Sequence, residues 1–299
     1  MENYQYHIFS PYRVCPLGAH VDHQHGIVTG FAIDKGVDLW FTPNEDGKVH
    51  LESRTFDGVV DFDITKGTLV REMHWGDYAR GAKYALKKRF DLKKGINGVV
   101  QGSLPVGGLS SSAAVLIAYV MAFAKANDIT LQPFEVVKIA SEAEREYIGL
   151  NNGLLDQACI ALGKQDGLLF LDCDSDDYRI IKRNPEMKDF EIGIFFSGLT
   201  RSLVNSDYNL RVYECKTAAW NVLAYQNRPL LFAIDKLKID DDMLVVAADN
   251  ILFFSFLEFV DFAKAKGTSS VRQKGRRGYG SHHLCNRYKG SRYALCYRL

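Results

Sequence analysis

Leu104-Pro105-Val106-Gly107-Gly108-Leu109-Ser110-Ser111-Ser112-Ala113-Ala114 is the stretch on which the reading of this chain turns. A β-prone run, Ile96 to Val100, precedes it, and a long apolar helical pattern, Ala113 to Ala126, follows. A Gly-rich turn therefore opens onto a helix N-terminus. Unpaired backbone N–H groups and the positive end of the helix dipole meet there, which suits an anion. Gly107 and Gly108 let the backbone approach a phosphate closely. Three serine hydroxyls can donate to phosphate or coordinate Mg²⁺. The turn is not a Walker loop, because no Gly-Lys-[Ser/Thr] follows it. On these residues alone, a plain Gly-Ser loop with a serine N-cap remains the alternative.

The chain has 299 residues, 47% hydrophobic and 24% charged, enough for one large core or two modest ones. A formal net charge of +1 gives no whole-molecule attraction to nucleic acid or an anionic membrane. Residues 1–10 lack the basic and apolar regions of a secretory signal, and no apolar run is long enough to span a bilayer. The six cysteines lie far apart without a CxxC pair, so neither a zinc knuckle nor a disulfide framework is suggested, and a reducing cytoplasm is expected.

Outward from the loop, Val28–Phe41 and Val49–Ser53 read as strands split by the turn Asn44-Glu45-Asp46-Gly47. Asp77–Phe90, Gln132–Tyr147, Leu154–Leu162 and Arg211–Tyr225 read as helices; Leu168–Asp172 and Ile192–Ser197 read as strands. Composition turns polar near Gly163–Asp177, which places a soft boundary there. The expected division is 1–165, 166–266 and a basic tail, 267–299, with eight Lys/Arg and no acid. A solvated end, a nucleic-acid arm and an end altered by a shifted reading frame are the three readings of that tail, and the last is preferred.

Four ordered segments carry a resemblance. Arg13-Val14-Cys15-Pro16-Leu17-Gly18-Ala19-His20-Val21-Asp22-His23-Gln24-His25-Gly26 resembles the sugar signature of galactokinases, Arg-Val-Asn-Leu-Ile-Gly-Glu-His-Thr-Asp-Tyr-Asn-Gly-Gly. The Gly-Leu-Ser-Ser-Ser-Ala loop resembles the second signature of the wider GHMP kinase superfamily. Gly153-Leu154-Leu155-Asp156-Gln157 resembles Gly-Ile-Met-Asp-Gln, and Arg201-Ser202-Leu203 with Asp207-Tyr208 resembles Arg-His-Ser-Leu…Glu-Tyr. Trp75-Gly76-Asp77-Tyr78 sits where the family has Trp-x-x-Tyr. The phrase Cys-Pro-Leu-Gly-Ala-His-x-Asp-His-Gln looks closest to galacturonokinase-type members.

The resemblance implies an α+β, two-domain GHMP kinase fold. Its N-terminal domain would be ribosomal-protein-S5-like, and its ferredoxin-like C-terminal domain would be incomplete here. It implies ATP-dependent phosphorylation of a galactose-series sugar at the anomeric hydroxyl. A small sugar and ATP are the partners, with neither nucleic acid nor membrane. Gly107, Gly108, Leu109, Ser110, Ser111, Ser112 and Ala113 would hold ATP; Ser111 and Glu144 would bind Mg²⁺. Asp156 would orient or deprotonate the attacking hydroxyl, and Arg13 would keep it ionised and offset developing charge. Ala19, His20, Asp22, Gly153, Asp156 and Tyr208 would line the sugar site. The bland readings are a solvated helix charge for Glu144, a surface arginine for Arg13 and core filler for Tyr208. A zinc cluster from His20, Asp22, His23 and His25 is a further alternative.

Ala19 stands where galactokinases carry Glu. A neutral sugar loses a hydrogen-bond partner there, at a cost on the order of 1–3 kcal/mol. A uronic acid gains room and escapes a like charge. The expected substrate is therefore D-galacturonate, with D-galactose, or sugar and ATP binding without turnover, as the alternatives; Arg201 and His23 are candidates to meet the uronate. The phosphate loop is one residue shorter than usual between Pro105 and Gly108. No Thr-Gly-Ala-Gly-x-Gly-Gly turn is found near the C-terminus, and Gly275–Gly280 does not replace it. A truncated or frame-shifted end is expected from the tail.

Overall fold

A computed structural model of the chain describes residues 3–67, 69–104, 107–188, 190–195 and 207–225, with four short strand pieces at 243–245, 273–274, 279–280 and 293–295. Two compact units result, residues 1–209 and 210–299.

The first unit is organised by one long strand, β2 (Ile27–Asn44). Strand β1 (Tyr6–Leu17) runs antiparallel along one edge of β2, from Tyr6 opposite Phe41 to Leu17 opposite Thr29, with irregularities after Pro11 and after Val14. Its other edge takes β5 (Gly95–Gly102) along 37–44 and β6 (Gly167–Asp172) along 27–30. Strands β3 (Lys48–Ser53), β4 (Val59–Asp63) and β7 (Tyr178–Lys182) complete seven strands; six follow the order β4-β3-β5-β2-β6-β7, and β1 pairs with β2 off that path. The polar stretch 163–177 lies inside this unit, since β6 pairs with β2.

Helix α2 (Ser111–Ala126) is apolar almost all round because it is buried almost all round. It packs on β1, β2 and β5, while α1 (Asp77–Lys87) and α3 (Pro133–Glu142) close over it. Leu116, Ile117, Val120 and Phe123 all lie in that core; each such burial stabilises by about 1.5–3 kcal/mol. A second cluster holds α4 (Leu155–Leu162) on β2 and β6 through Val28, Leu155, Cys159, Leu169 and Leu171. Gly30 permits this approach, as a Cβ there would lie 2.3 Å from the Cys159 sulfur.

The expected strands at 28–41, 49–53, 96–100 and 168–172 and the helices at 77–90, 113–126 and 154–162 are present within a few residues. The expected helix 132–147 is α3 followed by a π-helical turn, Ala143–Ile148. Strands β1, β4 and β7 were not expected, because their alternation is broken by Pro11, Arg13 and flanking acids. Residues 192–195 of the expected strand 192–197 form no strand. In the second unit, β8 (Met243–Val245) pairs in parallel with β11 (Tyr293–Leu295), and β9 (Gln273–Lys274) antiparallel with β10 (Tyr279–Gly280). Helix α5 spans Tyr208–Tyr225. Pro105, Val106, Arg201-Ser202-Leu203 and most of 226–299, with the expected basic tail and the Gly275–Gly280 stretch, lie largely outside the described residues. Among the described residues, no helix is long and apolar enough to cross a membrane, and Cys15, Cys159, Cys173 and Cys215 are free thiols.

Candidate active site

β1 delivers Arg13 opposite Ala32, and α4 delivers Asp156. The two meet: Arg13 Nε donates to Asp156 Oδ1 at 2.8 Å, with both side chains about four-fifths covered. Arg13 also reaches the Gly-rich loop. Its Nη1 donates to the Gly108 carbonyl at 3.2 Å, and its backbone N–H to the Leu109 carbonyl at 3.3 Å. One arginine thus ties the end of α4 to the start of α2.

The loop itself is held in a left-handed conformation, with φ of 70° at Gly108 and 59° at Ser110. A Cβ at Gly108 would meet nothing within 4 Å, and the buried Ser110 hydroxyl has no partner. Ser110 sits at the N-cap without making a side-chain cap. The Ser110 side chain therefore leaves the first N–H groups of α2 uncapped.

Glu144 comes from the π-helical turn, a local widening that often marks functional positions. Its side chain is fully buried. Asn152 donates to its Oε2 at 2.8 Å, and Gln157 and the Ser112 hydroxyl also hydrogen-bond to it. Burial first, and then the charge of Asp156, push its pKa up to about 7. The expected metal pair was Ser111 with Glu144; the hydroxyl at Glu144 is that of Ser112. A buried carboxylate beside a hydroxyl, with the orphaned Ser110 oxygen on the same loop, is an oxygen donor set that fits a hard divalent cation.

Asp22 lies on a short 3₁₀ turn, Asp22–Gln24, entered through Gly18 and left through His25. Gly18 has φ of 87°, and a Cβ there would lie 2.6 Å from the Ile27 carbonyl oxygen. The Asp22 carboxylate is pressed on Gly153, where a Cβ would come within 2.5 Å of it. Burial, then Asp156, raises its pKa. Tyr208 is within electrostatic reach of the same group. Burial and the charges of Asp22, Asp156 and Glu144 push its phenol well above the usual range. Its ring meets the His23 ring edge-on, with centroids 6.1 Å apart.

Arg13, Asp22, Gly153, Asp156, Tyr208, Glu144 and the 108–112 loop therefore converge. Ala19 and the His20 side chain are exposed on the turn, where the His20 carbonyl accepts from Gln24 at 3.0 Å. Ala113 faces the core, so only its backbone is offered to the loop. Among the described residues, no three His, Cys, Asp or Glu side chains are grouped to hold a metal; His25 pairs with Asp174 instead, at 3.6 Å. Sequence reasoning missed Asn152 and Gln157, which hold Glu144. It also missed Asn209, which accepts from the Asn151 N–H and donates to the Gly149 carbonyl, both at 2.9 Å. Gln157 lay inside a quoted motif, but its amide carried no signal of its partner.

Residues 77–164 match the model of the GHMP kinases N terminal domain. Over 232 residues the chain is 41% identical to a galacturonokinase of Arabidopsis thaliana, covering 71% of this chain and 55% of the relative. Over 285 residues it is 30% identical to a galactokinase of Limosilactobacillus fermentum, covering 92% and 73%. The fold superposes on Lactococcus lactis galactokinase complexed with galactose at a TM-score of 0.67 and 30% identity, covering 73% of this chain and 57% of that one. A mevalonate kinase of Methanococcus jannaschii, 20% identical, shares the fold at a TM-score of 0.52, over 61% and 57% of the two chains. The chain spans little more than half the length of several of these relatives.

Proposed function

The chain belongs to the galactokinase family of GHMP kinases, and from that premise we propose that it is a sugar 1-kinase acting on D-galacturonate. The γ-phosphoryl group of ATP passes to the anomeric hydroxyl, giving the sugar 1-phosphate and ADP. The observation that carries this reading is the Arg13–Asp156 pair set against the 108–112 loop, with Glu144 and Ser112 beside it.

The assigned roles follow from chemistry. Asp156 orients the sugar O1 hydroxyl and accepts its proton as the O1–phosphorus bond forms and the bond to the ADP oxygen breaks. Arg13 fixes the Asp156 carboxylate and brings positive charge to the loop where the phosphates lie. The open Gly108 backbone, the Ser110 hydroxyl and the N-terminus of α2 cradle the phosphates. Glu144 and Ser112 are the residues that would hold Mg²⁺, which when bound offsets phosphate charge. Asp22, Gly153 and Tyr208 form the sugar side of the pocket. Ala19 supports a uronate over a neutral sugar, since it removes a carboxylate from the turn; the 41% identity to a galacturonokinase agrees with it.

The test is ADP release by the purified chain with MgATP, comparing D-galacturonate with D-galactose. A preference for galacturonate is expected. A preference for galactose would overturn the reading of Ala19 and leave a galactokinase. Binding of sugar and ATP without turnover would replace the kinase with a non-catalytic relative.

A further inference from the structure

His23 is the one polar side chain of the sugar turn that is both buried and unmatched. Its side chain is 8% exposed, and its Nδ1 is buried without a hydrogen-bond partner. That nitrogen lies 3.6 Å from Asp22 Oδ1, too far for a hydrogen bond and close enough to form one by a small rotation. Nε2 lies 3.4 Å from the Gln24 amide nitrogen. The galactokinase pattern has Tyr at this position, which carries no titratable base. His23 is met by Asp22 and Gln24 on its own turn and by the Tyr208 ring; Asp156 and the Cys173 thiol are in electrostatic reach of Asp22, Glu144 is in reach of Tyr208, and Arg13 pairs with Asp156.

The charges explain why an imidazole belongs here. Against the single positive charge of Arg13 stand the carboxyl groups of Asp22, Asp156 and Glu144, and a uronate adds one more negative charge. A buried pocket resists such an excess strongly. One proton on His23 offsets the charge that the uronate brings.

We infer that His23 is the charge-compensating positioning residue for an anionic sugar: its imidazole takes up a proton as the sugar binds and closes on Asp22. This rests on the galacturonate reading of the same pocket. His23 acts through Asp22 and does not touch the sugar. Loss of the carboxylate at position 19 and gain of a base at position 23 shift the pocket the same way, toward accepting negative charge.

The experiment is calorimetric titration of the full chain with D-galacturonate and with D-galactose, in two buffers of different ionisation enthalpy at pH 7.5, so that no turnover is needed. Galacturonate is expected to bind with uptake of close to one proton, and its Kd to rise about tenfold per pH unit at higher pH. Galactose is expected to show neither. His23→Gln and His23→Tyr should abolish the uptake and weaken galacturonate about tenfold, with galactose little changed. His25→Gln, on the exposed pair with Asp174, should keep it. Galacturonate binding without uptake in the wild type, or uptake that survives both His23 substitutions, overturns the role of His23 and leaves the substrate reading intact. Binding of galactose but not galacturonate overturns the substrate reading, and this inference with it. If the substituted chains do not fold, NMR of the His23 ring in the wild type with and without galacturonate decides: a ring that gains no proton on binding overturns the proposal.

Discussion

The two loops that converge on Asp156 are built on opposite principles. The backbone of the sugar turn, 18–26, satisfies itself: Val21 donates to Gly18, Gln24 and Gly26 donate to Val21, and the Gln24 amide caps His20. The phosphate loop leaves its hydroxyl and the N–H groups of α2 unmet, and its carbonyls are spent on Arg13. A self-closed turn tolerates new side chains without losing its shape. An open loop keeps its shape only through the groups that serve its ligand. In line with this, the substitutions Ala19 and His23 fall on the turn, while the loop keeps Gly-Leu-Ser-Ser-Ser-Ala and departs only by being one residue shorter between Pro105 and Gly108. Substitutions near the loop should thus remove turnover, and substitutions on the turn should redirect it.

The largest effect is expected at the point the two loops share. Asp156→Asn keeps the size of the side chain and removes the base, so kcat should fall roughly 10²–10⁴-fold with sugar binding retained. Near-wild-type turnover would show that Asp156 only orients Arg13.

Glu144→Gln sharpens the phosphate side, because here activity and stability should move in opposite directions. In the unfolded chain a glutamate ionises near 4.5; in the fold its pKa is about 7. Between these values the folded state holds the extra proton. Stability therefore falls as pH rises through the window and levels off above it. At pH 8 without Mg²⁺ the substitution should recover about 3 kcal/mol that is absent at pH 4, while turnover is lost. Urea titrations with EDTA at the two pH values check this. A constant difference would mean that Glu144 ionises in the fold as readily as in the unfolded chain.

Ala19→Glu addresses the turn. The ratio of kcat/KM for galacturonate to that for galactose should fall about tenfold or more, with the fold unaffected because the position is exposed. An unchanged ratio would break the contrast between the loops, since the turn would then not set specificity.

Most of the fold was legible where periodicity was strong, in α2, α4, β2 and β5. Strand β1 was not, since Pro11 and Arg13 interrupt its alternation and its register shifts at those places. The site was legible as a set of motifs but not as contacts. Ser111 and Ser112 are adjacent in sequence, and only the start of α2 decides that Ser112 is the one turned to Glu144. The π-helical turn has no sequence signal beyond a long helical pattern. His23 looked like one of several histidines until burial singled it out.

The smallest effect is expected at Asn209. Its amide bridges the Gly149 carbonyl and the Asn151 N–H, and so braces the segment between Glu144 and Asp156. Neither bond is fully buried, so Asn209→Ala should cost only about 1 kcal/mol in stability. It should lower kcat a few-fold without altering the preference between sugars, because Asn152 in the same segment positions Glu144 on the phosphate side. Denaturation midpoints with kinetics on both sugars measure this. A changed sugar preference would place the 149–152 segment with the turn instead of the phosphate loop, and would blur the division between the loop that supports turnover and the turn that selects the sugar.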